Sequence, residues 1–375
     1  MQTTKRPLVW LLTAILLLTL AACSGSATPA PSSNSAPSTS SDSASSDSAT
    51  SESATSESEG SDSEGGDSEG SDTASSGSGS TSAPATDGEK PLIKLAENPW
   101  SASALNVAVA RILLEETLGY PVEVVTIGES AQWPAIASGE LHASLEVWPS
   151  GHADNIQEYI HNQQLVEDGG TLGPIGKIGW YIPTYLLEEH PELATWEGLA
   201  DPENAALFAT AETGDKGQFL AGDPSWTQYD EDIIANLGLN FTVVTAGSEE
   251  AVLAALDAAY SREEPLLFYF YTPHAIFAQY DLTEVALPPY SEECYAKAES
   301  GGIDCDYPPD ELFKIFWSGL AEYAPDAYVV LKNLTYSTED QIDMIAAVEA
   351  EGLSVEEAAR QWLDAHEPTW RGWLP

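Results

Sequence analysis

Residues 24–88 decide how much of this chain can fold. From Ser24 to Gly88 the sequence is built of Ser, Asp, Glu, Gly, Ala, Thr and Pro, with almost no apolar bulk. Such a segment cannot bury enough surface to offset its chain entropy, and its carboxylates repel one another. The run DSEGGDSEGSD resembles a string of acidic metal ligands, but it lacks the spacing and hydrophobic frame of a calcium loop, so it reads as part of a solvated tether. A packed core is therefore confined to Pro91–Pro375, a length sufficient for two lobes.

Upstream of the tether, Lys5 and Arg6 precede the apolar run PLVWLLTAILLLTLAAC. A basic start, a short apolar stretch and small residues at its end describe a secretory signal rather than a permanent span. Residues 1–22 are expected to be the cleaved signal. The ending LAAC looks like a bacterial lipobox, which makes Cys23 the expected lipid-attachment residue, carrying palmitate-type chains. Buried acyl chains contribute about 0.8 kcal/mol per CH₂, so they anchor a water-soluble domain to the extracytoplasmic face of the cell membrane. Residues 23–88 then hold the lipidated cysteine and the tether.

The formal charge is -47, from 13 basic and 60 acidic residues, and most of it remains once the tether is set aside. That balance argues against nucleic acid or an anionic membrane surface as partner, and it permits attraction of cations. With Cys23 assigned to lipid, Cys294 and Cys305 remain in an oxidising compartment, at the ends of the polar loop CYAKAESGGIDC. A disulfide between them is expected; two cysteines without a nearby histidine pair make a poor zinc site, and no metal or cofactor is expected.

Within the folded part, strand-like and helical runs alternate. LIKLAE, VEVVTI and ASLEVW read as strands around helices at about 103–118 and in SAQWPAIASGE. AALFATAE and FTVVTAG read as strands, YDEDIIANLG as a helix ended by its glycine, and SEEAVLAALDAAYSREE as a helix capped by Ser248. PLLFYFY returns as a buried strand. Helices are expected at PDELFKIFWSGL, TEDQIDMIAAVEAEG and SVEEAARQWLDA, the last two with hydroxyl caps and early acidic residues. The pattern is α/β, with two lobes expected at 91–190 plus 281–375 and at 191–280, and ligand sites at the carboxyl ends of strands.

Several motifs together carry a family resemblance: ENPWSAS, LEVWPSG, GDPSW, FYFYTPHAIFAQYDL and CDYPPDELFKI. With the lipobox and tether they resemble the substrate-binding components of quaternary-amine importers, the glycine betaine, proline betaine and choline receptors of ABC transporters. The resemblance implies a two-lobed periplasmic-binding-protein fold, type II-like, closing on its ligand without chemistry, and an ABC permease as partner to a monomeric receptor. It implies an aromatic box of Trp100, Trp148 and Tyr271, the last standing where relatives carry tryptophan, and His274 at the ligand's polar end. Ala275 also departs from the family's usual Pro-His-Trp. The chemistry fits: a trimethylammonium has no N–H to donate, and the negative faces of aromatic rings attract it at about 0.5–2 kcal/mol each when desolvated.

Trp180 and Tyr181 lie near the expected first interlobe crossing. In a strand they point to opposite faces, so one enters the cleft, and Tyr181 is the candidate. Trp226, preceded by Asp223, sits on a loop suited to the second lobe's rim or to core packing. Two other classes compete. A lipid-anchored hydrolase finds little support, since no G-x-S-x-G elbow, H-E-x-x-H helix, Walker motif or dinucleotide fingerprint occurs, and carboxylate pairs are too common here to signify. An amino-acid receptor would want an arginine for the α-carboxylate, and arginines are few.

Overall fold

The alternating runs assemble into one mixed sheet. The computed structural model describes residues 89–375; the expected signal, Cys23 and tether lie outside the described residues. Nine strands are found there: β1 (Ile93–Glu97), β2 (Val122–Thr126), β3 (Ala143–Val147), β4 (Val166–Pro183), β5 (Gly217–Ala221), β6 (Phe241–Thr245), β7 (Phe268–Thr272), β8 (Leu282–Glu284) and β9 (Pro309–Trp317). Their order is β2-β1-β3-β9-β4-β7-β5-β6, with β8 also on β4.

Two parallel units make up this α/β, two-lobed architecture. In one, β1 pairs in parallel with β2 and β3, the Ser101–Ile112 and Glu129–Ala137 helices forming the connections. In the other, β5 pairs in parallel with β6 and β7 around the Asp230–Asn236 and Glu249–Arg262 helices. The 18-residue β4 joins them: it runs antiparallel to β9 from Val166 to Lys177 and antiparallel to β7 from Lys177 to Tyr181. The carboxyl ends of β1, β3 and β7 thus converge near this shared strand, where open α/β sheets place ligands.

Both sheet faces are covered. Ile93 and Leu95 enter the larger apolar cluster, while Ala96 joins Trp133, Ile136, Val147 and Ile315 in a second cluster on the opposite face. Fully burying a large apolar side chain such as Phe219 or Phe270 contributes about 1.5–3 kcal/mol. Helix starts follow local chemistry. The Ser248 side chain accepts from the Ala251 N–H, and Ser337 and Ser354 form capping boxes with Asp340 and Glu357. Cys294 and Cys305 are disulfide-bonded, with S–S 2.10 Å.

Two expected elements differ. PDELFKIFW is strand β9, not a helix: Asp310, Leu312, Lys314 and Phe316 alternate as its buried side. Asp310 and Lys314 break the apolar alternation, but both are satisfied within the fold, Asp310 by Ser150 and Lys314 Nζ by the Lys332 and Leu334 carbonyls. AALFATAE is not a strand: its Ala206–Phe208 segment is a 3₁₀ turn, following the short Pro202–Ala205 helix. Asp201 caps that helix by accepting the Glu203 N–H, and Pro202 at its first position favours the turn. The strand in this region is β5, formed by GQFLA further on.

Candidate functional site

Tyr269 and Tyr271 alternate with Phe268 and Phe270 along β7, so the two phenols share one sheet face and the two phenyl rings the other. The tyrosine face meets Trp100, three residues past β1, Trp148, directly after β3, and Trp226, on the loop after β5. With Ile178 of β4 and Gly151, Thr227 and Glu129, these rings line a narrow cavity. The ring centroids stand 5.5 Å apart for Trp148 and Tyr271, 5.7 Å for Trp226 and Tyr269, 6.0 Å for Trp226 and Tyr271, and 6.3 Å for Trp100 and Trp226. Most of these pairs are near-perpendicular, so faces as well as edges are presented to the enclosed space.

Two glycines make room for this packing. A Cβ at Gly176 of β4 would stand 2.3 Å from the Trp148 ring, and one at Gly222 would stand 2.2 Å from the Trp226 ring. Only glycine lets each indole lie against the backbone there.

Behind the rings, Glu146 of β3 holds two of them. Its Oε1 accepts the Trp100 indole N–H at 2.8 Å and the Trp148 indole N–H at 3.1 Å. Its Oε2 accepts the side-chain amides of Asn106 at 2.5 Å and Gln341 at 3.1 Å. Burial pushes this carboxyl up to about 7, although the donors around it pull the other way. The indole N–H groups of Trp100 and Trp148 are thereby tied off behind the cavity, leaving their π-faces as its wall. The Trp226 indole N–H is buried and lacks a partner among the described residues.

The charged side chain lining the cavity is Glu129, the first residue of its helix. Its Oε1 accepts the Thr227 backbone N–H at 2.8 Å, and its Oε2 lies 3.0 Å from His152 Nε2. No Lys, Arg or His is among the lining residues.

Of the residues picked from sequence, Trp100, Trp148 and Tyr271 meet at this cavity, and Trp226 joins them. His274 and Tyr181 do not line it. The His274 ring packs edge-on against Phe270 and Tyr271, and its Nε2 lies 3.0 Å from Glu349 Oε1 and 3.7 Å from Glu249 Oε1. Burial alone would lower its pKa, but the two carboxylates outweigh burial and hold it up at about 9. Glu249 is held below the usual carboxylate range despite its burial, through His274, Ser101 and Tyr271, whose hydroxyl donates to Glu249 Oε2 at 2.6 Å.

Tyr181 packs on Phe268 and Phe277 instead, and Trp180, on the opposite face, donates to the buried Asp230 at 2.6 Å. Neither aromatic of that pair reaches the cavity. Sequence reasoning missed Tyr269, which the period-two alternation with Tyr271 could have supplied, and Glu129, which carries no local signal.

The chain is similar to known proteins over most of its described length. A family described as the substrate binding domain of ABC-type glycine betaine transport systems matches residues 91–365. The trimethylamine N-oxide-binding protein of Pelagibacter ubique is 28% identical over 76% of this chain and 91% of its own length. The glycine betaine-binding periplasmic protein OusX of Dickeya dadantii is 22% identical over 69% of this chain and 82% of its own. The structure of lactococcal OpuAC, closed on glycine betaine, superposes with a TM-score of 0.60 at 20% identity, covering 76% of this chain and all of that one. A choline-binding protein in complex with choline gives 0.61 at 17% identity, covering 75% and 91%. The shared fold is the two-lobed type II binding-protein fold.

Proposed function

The chain belongs to the family of substrate-binding domains of ABC-type glycine betaine transport systems, and from that premise we propose that its five-ring cavity grips the trimethylammonium group of a methylated amine. The protein is a solute-binding component that delivers a quaternary-amine osmolyte to an ABC permease, and it is not an enzyme. The observation that carries the proposed site is the convergence of Trp100, Trp148, Trp226, Tyr269 and Tyr271 on one small cavity whose charged lining group is a carboxylate. A cation without N–H donors gains from ring faces and gains nothing from directed hydrogen bonds. The Pelagibacter relative is named for trimethylamine N-oxide and the Dickeya relative for glycine betaine, so both ligands belong in the screen.

Calorimetric titration of the purified protein with glycine betaine, proline betaine, choline, carnitine, trimethylamine N-oxide and ordinary amino acids tests the reading. Saturable one-to-one binding by a methylated amine supports it. Binding confined to amino acids refutes it.

Three finer points belong to the same proposal. The LAAC ending at Cys23 supports lipid anchoring at the extracytoplasmic membrane face; globomycin should then leave an unprocessed precursor, and unchanged processing would rule it out. The lobes comprise 91–190 with 281–375 and 191–280, closing like a hinge on the ligand, so scattering radii should shrink on saturation. The receptor acts as a monomer, which the same scattering measurement reads as mass.

A further inference from the structure

Beside the aromatic cavity a helix start is occupied by a carboxylate of the protein's own. The Ser101–Ile112 helix starts one residue after Trp100, and the unpaired N–H groups of a helix start attract anions. Glu249 sits there: its Oε1 accepts the Ser101 backbone N–H at 3.1 Å and contacts the Ser101 hydroxyl, while its Oε2 takes the Tyr271 hydroxyl at 2.6 Å. The neighbouring imidazole faces the protein's own carboxylates: His274 Nε2 lies 3.0 Å from Glu349 and 3.7 Å from Glu249, an ion-pair contact without a well-directed hydrogen bond. His274 and Glu249 are each 2% exposed, so neither turns to a ligand without breaking buried contacts.

The remaining side of the cavity offers an anion no better reception. Its charged lining group is Glu129, which accepts the Thr227 N–H and faces His152. Glu146 stands directly behind Trp100 and Trp148, with both its oxygens occupied. A carboxylate tail would enter among carboxylates with no cation among the described lining residues to meet it, and a desolvated, unpaired charge is strongly unfavourable. The unpartnered indole N–H of Trp226 remains as a neutral donor on a lining residue, suited to a hydroxyl or N-oxide oxygen.

We infer that this site selects methylated amines that carry no carboxylate, with Glu249 standing in for the ligand's own carboxylate at the helix start and on His274. The inference rests on the amine-capturing reading of the same cavity and narrows it. Specificity here works by exclusion, the wrong ligand being penalised by charges already in place.

Calorimetry on the purified protein at neutral pH decides the matter, with choline, tetramethylammonium and trimethylamine N-oxide in one arm and glycine betaine, proline betaine and carnitine in the other. At least one carboxylate-free amine should bind about tenfold or more tighter than every carboxylate-bearing one. The Glu249→Gln, Glu349→Gln double variant leaves His274 without its anionic partners and should narrow that ratio in favour of glycine betaine. Glycine betaine binding as tightly as, or tighter than, every carboxylate-free amine overturns the inference and leaves the amine receptor standing. No binding in either arm overturns both. The wild-type ratio decides on its own if the double variant fails to fold by circular dichroism.

Discussion

Trp100 and Trp148, 48 positions apart, donate their indole N–H groups to the same oxygen of Glu146, at 2.8 and 3.1 Å. One buried carboxylate therefore sets the planes of two walls of the cavity without touching its contents. Glu146→Gln keeps the shape but removes the charge that strengthens both hydrogen bonds, and an amide can turn a donor toward an indole N–H. Ligand affinity should fall by about tenfold, near 1.4 kcal/mol, with a changed near-ultraviolet dichroism from the tryptophans. Unchanged affinity and spectrum would show that packing alone orients the rings.

Stability should decline from mildly acidic to alkaline pH. Glu146 and Asp230 are pushed up to about 7, mainly by burial, so their contribution is full below the ordinary carboxylate range and is lost as pH rises through 7. His274 is held up at about 9; its contribution is present below 6.5 and lost as pH rises through 9, on the order of 3 kcal/mol at most. Three groups oppose the trend. Glu249 has a lowered pKa and contributes stability that disappears as pH falls. The buried bases His142 and Lys314 are lowered to about 4 and about 8, and their cost is relieved as pH rises toward their ordinary values. The raised carboxyls and His274 together outweigh these three between pH 5 and 9. The melting temperature should peak near pH 5 and drop toward pH 9, and His274→Gln should flatten the alkaline part of the drop. A melting temperature that climbs from pH 5 to 9 contradicts this assignment.

Gly176→Ala probes the packing of Trp148 from the opposite side. The added Cβ would fall 2.3 Å from the ring, so the indole or β4 must shift. Overpacking of this kind costs about 1–3 kcal/mol, and here it displaces a wall of the binding cavity. Both melting temperature and ligand affinity should fall. A variant that melts lower but binds as before would separate this contact from the site.

Much of this was legible in the sequence, for reasons that differ from residue to residue. Ser248 and Ser354 announce their helices because capping is local chemistry. Trp100, Trp148 and Tyr271 were readable because each sits at or just beyond a strand end recognisable by pattern. Tyr269 was legible in principle, two positions before Tyr271 on the same strand face. β9 was hidden because Lys314 and Asp310 occupy buried positions where an apolar residue would have shown the alternation.

His274 stands outside the cavity lining for a tertiary reason. The carboxylate beside it belongs to Glu349, 75 positions away at the end of the Thr338–Glu349 helix, and no local pattern connects them. The Tyr271 hydroxyl, which looks dispensable in a ring meant for a cation, serves Glu249 on its far side. Glu129 lines the cavity together with Thr227, 98 positions away, whose backbone N–H it accepts.

If aromatic faces hold a positive charge in this cavity, a neutral twin of the ligand should bind far more weakly than the ligand itself. Choline and 3,3-dimethylbutanol have nearly the same shape, but only choline is charged, so apolar burial is matched and the cation–ring attraction is not. Several desolvated faces at about 0.5–2 kcal/mol each should separate the two by roughly a hundredfold. Titration calorimetry of the purified protein should show saturable choline binding that Trp148→Leu weakens at least about tenfold, and little or no binding of the alcohol. Equal affinity for choline and its neutral twin would contradict the account, leaving the five rings as an apolar pocket with no preference for charge.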